Sequence, residues 1–134
     1  MRVLALDYGS GRCGCAVCDP TQTIVTPVDH ILAPGTRRGL ARIVELVAAR
    51  EVERVVVGLP TTLRGGDSAQ TVEAREFAAR LAKRLGEAVA VELYDERLTT
   101  RLAQRDPSSR ASEDSRAAAH ILQSWLQAKR PVER

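Results

Sequence analysis

The chain has 134 residues, 44% of them hydrophobic and 28% charged, with 20 basic against 17 acidic residues and a formal net charge of +3. That balance fits one compact domain over residues 1–134 and excludes disorder and collagen-like repeats. No apolar run approaches the ~20 residues that span a bilayer, and the N-terminus lacks the regions of a signal peptide, so a cytoplasmic protein with no membrane partner is expected.

Arg2 to Leu6 is a short apolar run ending at Asp7, Arg12 to Cys18 a small-residue run ending at Asp19-Pro20, and Thr23 to Leu32 an extended, β-branched stretch. These read as three sequential strands joined by tight turns. From Thr36, an N-cap, Leu40, Ile43, Val44 and Val47 recur at the spacing of an amphipathic helix. Arg54 opens the β-branched run Val55-Val56-Val57, stopped by Gly58-Leu59-Pro60, as in a strand buried on both faces. A second helix starts near Asp67 or Ser68, carries Ala74, Phe77, Ala78, Leu81, Ala82 and Leu85 on one face, and ends at the C-cap Gly86. Val89 to Tyr94 is the fifth strand, followed by Asp95-Glu96-Arg97. Thr99 or Thr100 caps a short helix to about Arg105, broken by Asp106-Pro107. The last helix starts near Ser112 with Ala118, Ile121, Leu122 and Trp125 as its buried stripe, and Lys129 to Arg134 is a polar tail. The order predicts an α/β domain with a five-stranded mixed sheet flanked by helices.

Four residue groups bear on the question of function. Cys13, Cys15 and Cys18 are odd in number, and on a strand the first two share a face opposite the third, so the thiols do not converge on a metal and read as small packing residues. His30 and His120 have no Cys/His partner pattern and read as structural. All basic residues except Lys83 and Lys129 are arginines, which suit bidentate phosphate contacts. Aromatics make up only 3%, too few to stack successive single-stranded bases, so a nucleic-acid partner would be held by backbone and shape.

Three carboxylates stand where a neutral side chain would cost less. Asp7 ends a buried strand, and Glu96, with Asp95 beside it, follows another. If those strands are parallel, both sites share one edge of the sheet, where open α/β folds bind ligands. Counting from Asp114, positions i+4, i+7, i+8 and i+11 are Ala118, Ile121, Leu122 and Trp125, so Asp114 continues the core-facing stripe of the last helix. Converging carboxylates repel unless a divalent cation lies between them, and an oxygen-only donor set suits Mg²⁺ or Mn²⁺.

Asp7-Tyr8-Gly9 with Arg12, Gly14, Ala16 and Asp19 resembles the opening motif of the YqgF/RuvX family of ribonuclease-H-like nucleases. The resemblance continues through Val57-Gly58-Leu59-Pro60 with Gly65 and Ser68, Asp95-Glu96-Arg97-Leu98-Thr99-Thr100, and Asp114 with Ala117, Ala118 and Ile121-Leu122. Order and spacing agree over nearly the whole chain. The resemblance implies a ribonuclease-H-like fold, catalytic and metal-binding acids at Asp7, Glu96 and Asp114, and a metal-dependent nuclease of pre-16S rRNA 5′-end maturation, or of Holliday junctions. Gly9, Arg12, Arg64, Arg97 and Arg110 are the substrate-binding candidates, the partner being structured RNA or branched DNA and the protein a monomer or homodimer. One departure falls on Asp106 to Glu113, which is shorter than the family pattern. A basic residue common just before the last acid is replaced there by Ser112-Glu113, with Arg110 the nearest substitute. Two rivals are weaker. An actin- or hexokinase-like ATPase needs a second domain, and a catalytically silent RNA-binding module has no use for all three acids.

Overall fold

The computed structural model of the chain describes residues 1–59, 69–95 and 113–129, the side chains of 113, 114 and 129 excepted. Five strands, β1 (Val3–Asp7), β2 (Arg12–Cys18), β3 (Val25–Leu32), β4 (Arg54–Leu59) and β5 (Ala90–Asp95), form one sheet in the order β3-β2-β1-β4-β5. β1–β2 and β2–β3 pair antiparallel, while β1–β4 and β4–β5 pair parallel. Helices α1 (Arg37–Ala49) and α2 (Ala69–Leu85) cover one face, and α3 (Glu113–Lys129) covers the other.

Period-two alternation splits each strand between the two cores. Leu4, Leu6, Cys13, Cys15, Val55 and Val57 join Leu40, Ile43, Phe77 and Leu81 on the α1–α2 face. Val3, Ala5, Ala16, Cys18 and Val56 meet Ala118, Ile121, Leu122 and Trp125 on the α3 face. The cysteines divide as their spacing predicts, all three buried and free, with Cys18 opposite the other two. The apolar stripe of α3 is what docks it. Ile121, Leu122, Trp125 and Leu126 are nearly fully buried, and burial of one such side chain is worth about 1.5–3 kcal/mol, several times a typical hydrogen bond.

Element boundaries follow from local chemistry. Thr36 caps α1 by accepting the Gly39 N–H at 3.0 Å. Gly86, at φ +72°, ends α2 in the left-handed conformation that glycine adopts without strain. Two strands differ from expectation. β3 begins at Val25, not Thr23, because the Thr23 and Ile24 amides donate to the Asp19 carboxylate (2.8 and 2.7 Å) and close the β2–β3 turn. β4 continues through Gly58 and Leu59, where a stop was expected, because both residues remain paired with Tyr94 and Asp95 of β5. The short helix expected from Thr99 to Arg105 and the tail beyond Lys129 lie outside the described residues.

Candidate active site at the carboxyl edge of the sheet

The parallel strands β1, β4 and β5 all end at one edge, and Asp7 and Asp95 are the last residues of β1 and β5. Asp7 pairs with Gly14 of β2 on one side and Gly58 of β4 on the other, and Gly58 pairs in turn with Tyr94. Gly14-Asp7-Gly58-Tyr94 is thus one row across four strands. Alternation puts Asp7, two residues beyond Ala5, on the α3 face, and it puts Gly14 and Gly58, two residues from Ala16 and Val56, on that face as well. The carboxylate is therefore flanked on both sides by positions without a side chain. Neighbouring strands lie about 4.8 Å apart, so the two positions nearest the acid on this face place no Cβ beside it.

The backbone around Asp7 is held from the opposite face. Tyr8 points to the α1–α2 side and its ring lies 4.6 Å, centroid to centroid, from that of Phe77. Burial, then the Glu73 carboxylate that its hydroxyl meets, pushes the Tyr8 phenol above its ordinary range. Gly9 follows, and a Cβ there would lie 2.7 Å from the Arg12 carbonyl oxygen, so the β1–β2 turn itself demands glycine. Arg80 donates to the Gly35 carbonyl at 2.7 Å, tying α2 to the segment leading into α1.

Of the Asp95/Glu96 pair, Asp95 alternates onto the α1–α2 face, opposite Asp7, one step past the row. Glu96 is the next residue in the chain and lies outside the described residues, as do Arg64, Arg97 and Arg110. Asp114 is the second residue of α3, and the stripe it was expected to continue, Ala118, Ile121, Leu122 and Trp125, is buried against the sheet. Its successor Ser115 bonds the backbone of Cys15, the residue after Gly14. The first turn of α3 is therefore fastened one residue from the partner of Asp7. Arg12 is exposed, opens β2 at the same edge, and alternates onto the face of Asp7 and Gly14.

Sequence reasoning missed Ser115 and the paired role of Gly14 and Gly58. A serine after an acid gives no signal without the bulge it fits, and two glycines 44 residues apart become neighbours only through the register of three strands. Burial of His120 holds its imidazole below the ordinary range, and the described residues contain no cluster of three His, Cys, Asp or Glu side chains able to hold a metal. No helix among them is long and apolar enough to cross a membrane.

This sheet order, with helices on both faces and an acid at the end of the central strand, defines a ribonuclease-H-like α/β protein. The fold matches RuvC of Thermus thermophilus in complex with a Holliday junction (TM-score 0.66, 17% identity, 96% of each chain covered). It also matches the fowlpox virus resolvase bound to Holliday junction DNA (TM-score 0.60, 8% identity, covering 96% of this chain and 98% of that one). The chain belongs to the RuvX family, described as Holliday junction resolvase, whose family model matches residues 1–128. Among its relatives are proteins named "Putative pre-16S rRNA nuclease". The Corynebacterium jeikeium one is 38% identical (96% of this chain, 88% of the relative) and the Anaeromyxobacter dehalogenans one 40% (98% and 100%). That of Mycobacterium tuberculosis strain H37Ra is 44% identical (93% and 78%).

Proposed function

We propose that this chain is a divalent-metal-dependent nuclease of ribosomal RNA maturation, acting in the cytoplasm on the 5′ end of pre-16S rRNA, with Asp7, Glu96 and Asp114 as its catalytic acids. The observation that carries the reading is the glycine-flanked Asp7 on the face where α3 begins. Asp7 ends the central strand on the face where α3 begins, its two cross-strand neighbours are glycines, and carboxylates brought together there would favour a divalent cation between them. The donor set is carboxylate oxygen only, which fits Mg²⁺ or Mn²⁺ and not a soft metal. When bound, a pair of such ions activates water and stabilises the leaving oxygen of a phosphodiester.

The chain's own residues do the rest. Asp7 is presented from the centre of the sheet with its backbone held by Tyr8, Glu96 follows β5, which β4 separates from β1, and Asp114 is the second residue of α3. Gly14 and Gly58 add no side chain beside Asp7. Arg12, with Arg64, Arg97 and Arg110, contacts the flanking phosphates, where a guanidinium matches two oxygens at once. The family description favours a second substrate, the four-way DNA junction, which backbone contacts alone do not distinguish from structured RNA.

The test compares cleavage of a pre-16S rRNA 5′ end and of a four-way DNA junction by the pure protein at the same metal concentration and salt. Preferential, metal-dependent cleavage of the RNA is expected, and Asp7→Asn should lower it by more than about 100-fold. Faster cutting of the junction would assign the protein to branched DNA. Metal-independent cutting, or an unaffected Asp7→Asn variant, would remove the three acids from the chemistry.

A further inference from the structure

The hydroxyl of Ser115 is built into the sheet. The β2–β3 register steps by one between the pairs Cys13–Ile31 and Cys15–Val28, so that Asp29 and His30 together face Gly14. This is a bulge, and at a bulge the ladder is locally disrupted. There the Cys15 N–H donates to Ser115 Oγ at 3.3 Å, and the Ser115 hydroxyl donates to the Val28 carbonyl oxygen at 2.5 Å. Cys15 and Val28 are the paired residues, so a side chain from α3 stands where a ladder bond would run.

Ser115 is fully buried. The apolar stripe of α3 already supplies the docking of the helix, and serine is a poorer helix former than alanine. An apolar stripe tolerates sliding, because it is non-directional, whereas two hydrogen bonds to fixed backbone atoms do not. What the hydroxyl adds is therefore register. It locks the first turn of α3 to Cys15, which follows Gly14, the partner of Asp7. Asp114 immediately precedes the locked residue.

We propose that Ser115 is a positioning residue, whose clasp on the β2–β3 bulge fixes the first turn of α3, and with it the backbone at Asp114, relative to the strand that pairs with Asp7, so that the two acids can share a divalent cation. The proposal rests on the reading of Asp7, Glu96 and Asp114 as the metal-binding acids. It has a reciprocal consequence: if the clasp favours metal binding, metal binding must strengthen the clasp.

Two measurements test it on the full chain. In the parent, hydrogen exchange at the Cys15 amide, followed by NMR, should slow severalfold when Mg²⁺ is added, beyond any change in global stability. In Ser115→Ala, direct calorimetric titration should show the Mg²⁺ dissociation constant raised about tenfold, and kcat should fall roughly 10- to 100-fold with KM within twofold of the parent. Asp7→Asn is titrated alongside. A Cys15 amide indifferent to bound Mg²⁺ overturns the proposal without recourse to any variant. So does a Ser115→Ala protein that melts earlier yet binds Mg²⁺ and turns over like the parent well below its melting temperature, which would leave Ser115 a packing role only. If parent and Asp7→Asn bind Mg²⁺ equally or not at all, it is the three-acid reading that fails, and the inference from Ser115 falls with it.

Discussion

At the scale of single residues, the opening motif holds two acids in different settings, Asp7 at the end of β1 and Asp19 in the β2–β3 turn. The setting of Asp19 is a local one. The Thr21 hydroxyl and then the Ile24 and Thr23 amides donate to its carboxylate, lowering its pKa to about 2 from an ordinary 3.8. The sign follows from linkage. A carboxyl whose folded pKa is depressed contributes stability that is present above its unfolded value and is lost as pH falls through the folded value. Asp19→Asn should therefore lower the urea midpoint at pH 7, and the gap from the parent should narrow between pH 4 and about 2. Urea titrations of both proteins at several pH values check this. A gap that stays constant down to pH 2 would mean that the ionised form of Asp19 contributes nothing.

At the scale of elements, α1 shows how tightly the edge of the sheet is assembled. Gly39 lies in its first turn, buried, and a Cβ there would sit 2.1 Å from the Ala33 carbonyl oxygen and 2.7 Å from the Pro34 Cα. In an open helix, replacing this glycine by alanine would add about 1 kcal/mol of stability. Here the obstacle is backbone, which cannot swing aside as a flexible side chain does. Gly39→Ala is expected to destabilise by about 1–3 kcal/mol in equilibrium urea unfolding, the usual range for overpacking. A variant as stable as the parent would show that the Ala33–Pro34 segment yields freely. The same segment contains Gly35, which approaches the Tyr8 hydroxyl and accepts from Arg80, so α1, α2 and the residue after Asp7 are packed as one unit.

At the scale of the whole molecule, a net charge of +3 is too small to dominate binding by itself, and the placement of arginines decides more than their number. Arg12 is exposed at the edge that carries Asp7, on the same face. If it contacts a substrate phosphate, Arg12→Ala should weaken binding about equally for different sequences and make the slope of log affinity against log salt shallower by about 0.7–0.9. Filter binding or fluorescence anisotropy over a salt series measures this. An unchanged slope would place the phosphate contacts elsewhere on the surface.

The amino-acid sequence alone determined the elements, because each carries its own local signal. The Thr36 cap, the valine run of β4, Gly86 after α2 and the stripe of α3 are all periodicities or turn residues within one stretch of chain, and each appears where its pattern placed it. It also marked Asp7 as an acid ending a buried strand. Where β3 begins and β4 ends was not legible, since the first depends on an Asp19 carboxylate capturing two amides and the second on pairing with β5. The tertiary structure alone decided which residues surround Asp7. Gly14 and Gly58 flank it, Asp95 turns to the far face, and Ser115 fills a bulge 100 residues earlier in the chain. The reason is physical: strand register is set by contacts between segments distant in sequence, and a shift of one residue would exchange every side chain between the two faces.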